Sequence, residues 1–337
     1  MASKISKIEY HLPTKTVYND EIINGTDYNI KKFEKNVGIL SRKVCSENES
    51  ALSLAISAVD KLFSKNALNP QSIDLIIFCT QSPDYLIPTN ACLIHKEFNF
   101  RDDVGVFDYN LGCSGYTYGL MIAKAFINSG QANSVLLVTA DHYTKYINPK
   151  DITNRLIFGD GASASLIEKS VEEKIFNFKM GTIGKGYDKL IIKNKVTDMF
   201  SNPEKIFEDK EYGKFNKYTD KNLYMDGPYI FNFTLKNVPG FTRDTLLMND
   251  KQISDIDQFI FHQANSFLID SLRLSLGIEK NNFYNNITNT GNTVSSTIPI
   301  ALKNYSKDII RNERILLNGF GVGMSMCAGI IELEHEL

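Results

Sequence analysis

The 337-residue chain has no tryptophan, only five cysteines and five histidines, and almost no net charge, with 37 Lys+Arg against 39 Asp+Glu for a formal −2. Each scarcity removes a class of function. Balanced charge leaves no overall field to recruit nucleic acid or an anionic membrane surface, so neither partner is expected. The cysteines (Cys45, Cys79, Cys92, Cys113, Cys327) are odd in number, irregularly spaced and without a C-x-x-C pair. That disfavours both a disulfide framework and a zinc site, and reduced thiols are expected. The histidines (His11, His95, His142, His262, His335) include no H-x-x-x-H pair, which speaks against a histidine-rich metal site. The first residues, Met-Ala-Ser-Lys-Ile-Ser-Lys-Ile-Glu, lack the apolar stretch of a signal peptide, and a cytoplasmic location is expected. No low-complexity tract or tandem period of about 20 to 50 residues is present, which sets solenoids and propellers aside.

What is present is the balance of an ordinary globular protein, 43% hydrophobic and 23% charged. At about one domain per 150 residues, the length implies two domains or one large unit of two halves. Leu75–Phe78, Val104–Phe107, Val135–Val138 and Phe259–Phe261 are short, nearly continuous apolar runs, as expected of strands buried on both faces. Helical patterns alternate with them. After the capping candidates Asn48 and Ser50, Leu52, Ala55, Ile56, Val59 and Phe63 fall on one helical face. The alternation implies an α/β architecture, a sheet covered by helices. Ile315–Leu333 is apolar enough to mimic a membrane span, but Asn318 and four glycines suit a buried strand-turn-strand better. From about Ser170 to Lys221 the chain is rich in Lys, Asp, Glu, Asn and Tyr, and is read as surface insertions between halves at 1–170 and 171–337.

Four stretches carry candidate chemistry. A strand runs into Gly112-Cys113-Ser114-Gly115 and then a helix, which puts Cys113 at a turn where the helix's positive end favours thiolate. On its own, such a cysteine is as readily structural as nucleophilic. Phe259-Ile-Phe-His-Gln-Ala-Asn265 places His262 at a strand end, where a sheet presents side chains to a crevice. Gly291-Asn292-Thr293 reads by itself as turn chemistry and helix capping. Gly319-Phe-Gly-Val-Gly323 is a glycine-spaced loop that suits either a tight hairpin or close approach of backbone N–H groups to a ligand oxygen. Papain-like proteases also use Cys, His and Asn in this order, with His about 130 to 150 residues after Cys. Their nucleophile, however, lies near the mature N-terminus in a Cys-Gly-Ser-Cys-Trp context that a tryptophan-free chain cannot supply.

Together, the four stretches resemble the β-ketoacyl-acyl-carrier-protein synthase III branch of the thiolase superfamily. Phe158-Gly-Asp-Gly-Ala162 and Met225-Asp-Gly-Pro-Tyr-Ile-Phe231 match as well, and the likeness runs from the first strand to the last. The resemblance implies a layered αβαβα thiolase-like fold of two similar halves, with Cys113, His262 and Asn292 catalytic. It implies acyl transfer from a thioester to Cys113, with backbone N–H groups of Cys113 and Gly323 as the oxyanion hole. A malonyl thioester then loses carbon dioxide, and its enolate, held by His262 and Asn292, attacks the acyl-enzyme. No metal or redox cofactor is implied. Tyr143 and Phe158 fall at acyl-pocket positions, and Ile87 where a neighbouring subunit closes the pocket. The implied partners are an acyl-CoA or acyl-carrier donor, a malonyl carrier protein and a second copy of the chain.

The chain also departs from the family. There is no adenine-clamping Trp, Ile152 takes the clamp-Arg position, Phe267 stands where a carrier-docking Arg is expected, and the following basic cluster is reduced to Arg273. Charge and bidentate donors vanish together in such replacements, which speaks against the usual acetyl-CoA starter. Two other readings stay open: an acyltransferase using the same Cys-His pair without decarboxylation, and a non-catalytic acyl-binding subunit.

Overall fold

The computed structural model describes residues 1–202 and 204–337. Nine strands of the two principal sheets run β1 (Ala2–His11), β2 (Leu75–Cys79), β3 (Gly105–Tyr109), β4 (Ser134–Asp141), β5 (Gly161–Ser170), β6 (Ile175–Thr182), β7 (Gln258–Phe261), β8 (Glu313–Gly321) and β9 (Ser325–Leu333). The first sheet has the order β1-β5-β4-β2-β3, antiparallel at its first two pairings and parallel at the next two. The second, read from its edge, is β6-β9-β8-β7, again with two antiparallel pairings followed by a parallel one. Phe283 adds a parallel bridge to Phe259 on the far side of β7, in the place that β3 takes beside β2. One strand plan thus occurs twice along the chain.

Six helices position these sheets and the site: α1 (Ala51–Asn66), α2 (Gly115–Asn128), α3 (Ile152–Ile157), α4 (Gly227–Met248), α5 (Ser266–Leu276) and α6 (Thr297–Ser306). α2 touches strands of both sheets and, with α6, forms a middle layer; α1 covers the outer face of the first sheet, and α4 that of the second. Because the central strands are covered on both faces, they read as unbroken apolar runs. In β4, Val135 and Leu137 pack inward with Tyr116 and Leu120 of α2, while Leu136 and Val138 pack outward with Ala55 and Val59 of α1. Ile260, Ile315 and Ile331 of the second sheet meet the same middle layer. Each such aliphatic side chain contributes roughly 1.5–3 kcal/mol by leaving water, so the helix sandwiched between sheets is the main cement of the two halves.

Local signals explain where these elements begin. Of the two candidate caps before α1, Ser50 is the one used: its hydroxyl accepts the backbone N–H of Ser53 at 3.2 Å. Asn265 caps α5 by accepting from Leu268 N–H at 2.9 Å. The apolar 315–333 run is β8, a turn and β9, paired antiparallel, and no helix among the described residues is long and apolar enough to cross a membrane.

The reading of 170–221 as surface insertions is corrected in part. Residues 175–182 are β6, paired with β9 at the edge of the second sheet. Their alternation of half-buried and exposed residues hides a strand that is covered on only one side. Leu190–Ile192 pairs with Leu223–Met225, and Lys210–Glu211 with Lys217–Tyr218, as small ribbons outside the main sheets.

Candidate active site

Cys113 lies in the loop between β3 and α2, directly before Ser114, the residue that caps α2. The sulfur is packed against the β8–β9 turn: a Cβ built on Gly321 would stand 2.9 Å from Cys113 Sγ, so only glycine admits this approach. The turn brings the backbone N–H of Val322 to the sulfur, alongside the N–H of Cys113 itself. Val322 is thus the N–H of the turn that reaches the sulfur, while Gly323 adopts φ +85° and turns the chain. Burial, followed by the charge of Asp141, pushes the Cys113 thiol up to about 12, against the pull of those two N–H groups. Desolvation thus works against the thiolate that the helix end favours.

His262 follows the last residue of β7 and continues its pairing, with its backbone N–H donating to Asn318 O at 2.9 Å. The ring is buried, and that burial lowers its pKa to about 3, so the imidazole is neutral. Its Nδ1 is 2.7 Å from the hydroxyl oxygen of Thr297, at the start of α6, and its Nε2 is 3.5 Å from Nδ2 of Asn292. The Asn292 carboxamide is oriented by its own backbone: Oδ1 accepts from Val294 N–H at 2.9 Å, which leaves the amide NH₂ toward the histidine. That turn holds Val294 at φ +55°, a costly conformation for a β-branched residue, as found where a site dictates geometry. Backbone bonds from Asn292 N–H to Ile157 O and from Gly159 N–H to Asn292 O tie the turn to the segment carrying Phe158.

Cys113, His262 and Asn292 line one cavity of about 180 Å³, the rest of which is mostly apolar. Tyr143 and Phe158 are in its wall as expected, their rings 5.2 Å apart, and the Tyr143 hydroxyl donates to Gln81 Oε1 at 3.2 Å. Leu190 and Met225, which sequence reasoning missed, are also there, carried in by the Leu190–Ile192 ribbon. Ile87 is not in this wall: it is 87% exposed, next to exposed Tyr85 and Leu86. Thr297 and Asp141 were missed as well. Asp141, at the end of β4, is fully buried and accepts from Gln81 N–H at 2.8 Å and from both the N–H and the hydroxyl of Ser295. Burial pushes its pKa up to about 7 against those donors. A Thr five residues past an Asn, or an Asp ending a strand, carries no local mark of such a place.

At the cavity mouth, Phe231 stacks on the half-exposed Phe267 with centroids 5.4 Å apart and planes 10° from parallel. Ile152 is buried in a small cluster with Leu156, Ile22 and Phe33.

A repeated, helix-covered sheet plan with a Cys-His-Asn set converging between its halves defines a thiolase-like condensing enzyme, an acyltransferase. Comparison with known proteins narrows this. Residues 107–184 match the family model described as 3-oxoacyl-[acyl-carrier-protein] synthase III, and residues 246–333 match its C-terminal counterpart. The chain is similar to the β-ketoacyl-[acyl-carrier-protein] synthase III of Clostridium tetani, at 32% identity over 96% of each chain. A synthase III 2 of Bacillus anthracis is 31% identical over 98% of both. A crystal structure of a 3-oxoacyl-(acyl-carrier-protein) synthase III superposes with a TM-score of 0.94 at 37% identity, covering 99% of this chain and 100% of that one. The Burkholderia xenovorans 3-oxoacyl-(acyl-carrier protein) synthase does so with a TM-score of 0.90 at 29% identity, covering 100% of this chain and 95% of that one. The chain belongs to the β-ketoacyl-[acyl-carrier-protein] synthase III family.

Proposed function

We propose that Cys113 takes an acyl group from a thioester and that the acyl-enzyme then condenses with a malonyl thioester. The observation that carries this reading is the pairing of His262 Nε2 with Asn292 Nδ2 in the wall of the cavity that Cys113 also lines. In the first half-reaction the thiol gives its proton to His262 Nε2, and its sulfur attacks the donor carbonyl. The N–H groups of Cys113 and Val322 hold the oxyanion. Collapse expels the donor thiolate, which takes the proton back from His262. In the second half, the malonyl carboxylate leaves as carbon dioxide, and its bonding pair becomes an enolate whose oxygen lies between His262 and Asn292. The enolate carbon attacks the acyl carbonyl, and breakdown of that adduct expels the Cys113 thiolate, which takes a proton from solvent to restore the thiol.

The two halves ask different tautomers of His262, and Thr297 supports both. Its single O–H can donate to Val294 O at 3.1 Å, leaving the oxygen to accept from Nδ1–H and freeing Nε2 as a base. It can instead donate to Nδ1, which puts the proton on Nε2, where the enolate needs it.

A cavity of about 180 Å³ walled by Tyr143 and Phe158 favours a short or compact acyl starter. The apolar Phe267 and Ile152 favour a donor held otherwise than by the usual basic contacts. The same two residues keep open the reading in which the acyl group passes to another nucleophile without decarboxylation. Asn292 favours condensation, since simple transfer has no enolate for its amide to hold. By family likeness we also propose a carrier-protein partner, a homodimer, a cytoplasmic location and a division into two halves near residue 170.

Intact-mass measurement after incubation with a panel of acyl-CoA and acyl-carrier thioesters is expected to show a single acyl adduct that Cys113→Ala abolishes. Adding malonyl carrier protein should discharge the adduct as a β-ketoacyl product. Failure of every thioester to label the protein would defeat the enzyme reading, and discharge without decarboxylation would select simple transfer.

A further inference from the structure

A second cavity, of about 360 Å³, is lined by neighbours of the acyl-pocket residues: Tyr143, Thr153 and Ile157 face the acyl cavity, whereas His142, Thr144 and Arg155 line this one. Three kinds of metal ligand meet at its edge. Cys45 Sγ, a ring nitrogen of His142 and a carboxylate oxygen of Asp160 all lie within 4.8 Å of one another. The three residues are far apart in sequence, so no spacing motif announces them, and the condensing reaction uses none of them.

The carboxylate is fixed in advance. Asp160 Oδ2 accepts from Cys45 N–H at 2.9 Å and from the Thr144 hydroxyl at 2.5 Å, and Oδ1 accepts from Thr144 N–H at 3.0 Å. The His142 ring has no hydrogen-bond partner among the described residues, and its Nε2 stands 4.0 Å from Asp160 Oδ2. Tetrahedral Zn²⁺, with bonds of about 2.0–2.3 Å, sets its ligands roughly 3.3–3.8 Å apart. Closing the His–Asp gap therefore takes a shift of a few tenths of an ångström, and the separations from Cys45 Sγ, within 4.8 Å, close by up to about one ångström.

We propose that Cys45, His142 and Asp160 bind one Zn²⁺, with water from the cavity as the fourth ligand. Thiolate, imidazole and carboxylate are the donor types zinc selects. On binding, the Cys45 S–H bond breaks, the proton goes to solvent and the sulfur pair bonds the metal. Lys15, Arg42, Lys145 and Arg155 also line the cavity, and none forms an ion pair among the described residues. A bare dication would be repelled there. With one thiolate and one carboxylate the bound ion is neutralised, and the lysines and arginines stabilise both anions. The consequence reaches the acyl pocket, because His142 directly precedes Tyr143 and Asp160 follows Phe158 by two residues. A metal here would pin both pocket walls.

Zinc content after equilibrium dialysis, and the thiolate-to-metal absorption of the Co²⁺-loaded protein, test the proposal. One zinc per chain is expected, with a charge-transfer band that Cys45→Ser abolishes and Cys113→Ala retains. His142→Ala should weaken binding about tenfold or more. Cys45→Ser should still accept an acyl group on Cys113, which separates this site from the catalytic one. Absence of zinc from the wild-type chain, a band that survives in folded Cys45→Ser, or a band that vanishes in Cys113→Ala would each overturn it. Should Cys45→Ser fail to fold, unchanged affinity in His142→Ala would do the same.

Discussion

His262 and Asp141 are both buried, and burial moves them in opposite senses. With the His262 pKa lowered to about 3 from 6.5, the folded protein refuses a proton that the unfolded chain accepts. That contribution to stability is intact above pH 6.5 and is lost as pH falls toward 3, by roughly 1.4 kcal/mol per unit across the window. His262→Asn should therefore lose less stability than wild type between pH 6.5 and 4 in thermal melts; parallel losses would refute the assignment. For Asp141, raised from 3.8 to about 7, the folded state holds the proton longer than the unfolded one. Stability from this group is full below pH 3.8 and declines as pH rises through 7. Relative to wild type, Asp141→Asn is expected to gain stability as pH rises from 4 to 7, and a constant difference between the two melts would count against it. Thr297→Val leaves His262 Nδ1 without its partner, at a cost of roughly 1–3 kcal/mol. We expect the variant to slow condensation more than acylation of Cys113, as read by single-turnover kinetics of each half-reaction; equal slowing would remove Thr297 from the tautomer argument.

At the scale of elements, the close approach of the β8–β9 turn to the start of α2 builds the proposed oxyanion hole. The turn carries Val322 N–H to Cys113 only because Gly321 lacks a side chain; the methyl of an alanine would stand 2.9 Å from the sulfur and 2.8 Å from Cys113 Cβ. Gly321→Ala must separate turn from helix, since the obstacle is the nucleophile and not a flexible side-chain end. We expect a folded protein whose Cys113 is no longer acylated, checked by circular dichroism beside intact mass. Normal acylation in that variant would place the oxyanion donors elsewhere.

For the molecule as a whole, the repeated strand plan means that Cys113 comes from the first half and His262, Asn292 and Val322 from the second. The site exists only when α2 is clasped between the two sheets. The exposed Tyr85, Leu86 and Ile87 form an apolar edge on this unit, suited to contact with a second copy. Sedimentation should find a dimer, and Ile87→Glu should shift it toward monomer and depress acylation of Cys113. A wild-type monomer would remove the dimer from the proposal.

The sequence by itself determined the architecture and marked the three candidate side chains that share one cavity. Runs such as Val135–Val138 announce two-sided burial wherever they occur, and Ser266–Leu276 begins and ends as α5 does because its Asn cap and Gly stop are local. Cys113, His262 and Asn292 each sit in a short motif that says little alone, and only the four stretches taken in order mark them as candidates. What only the tertiary structure decided was everything set by distance between segments. It brought Val322 N–H to the Cys113 sulfur, buried that thiol, set Thr297 and Asp141 beside the site and gathered Cys45, His142 and Asp160. It also turned 175–182 from apparent insertion into a sheet edge. Hydrogen bonds, desolvation and metal geometry depend on separations of a few ångströms between residues up to hundreds of positions apart. A linear pattern records neighbours along the chain, and those separations are fixed only when α2 and the two sheets pack.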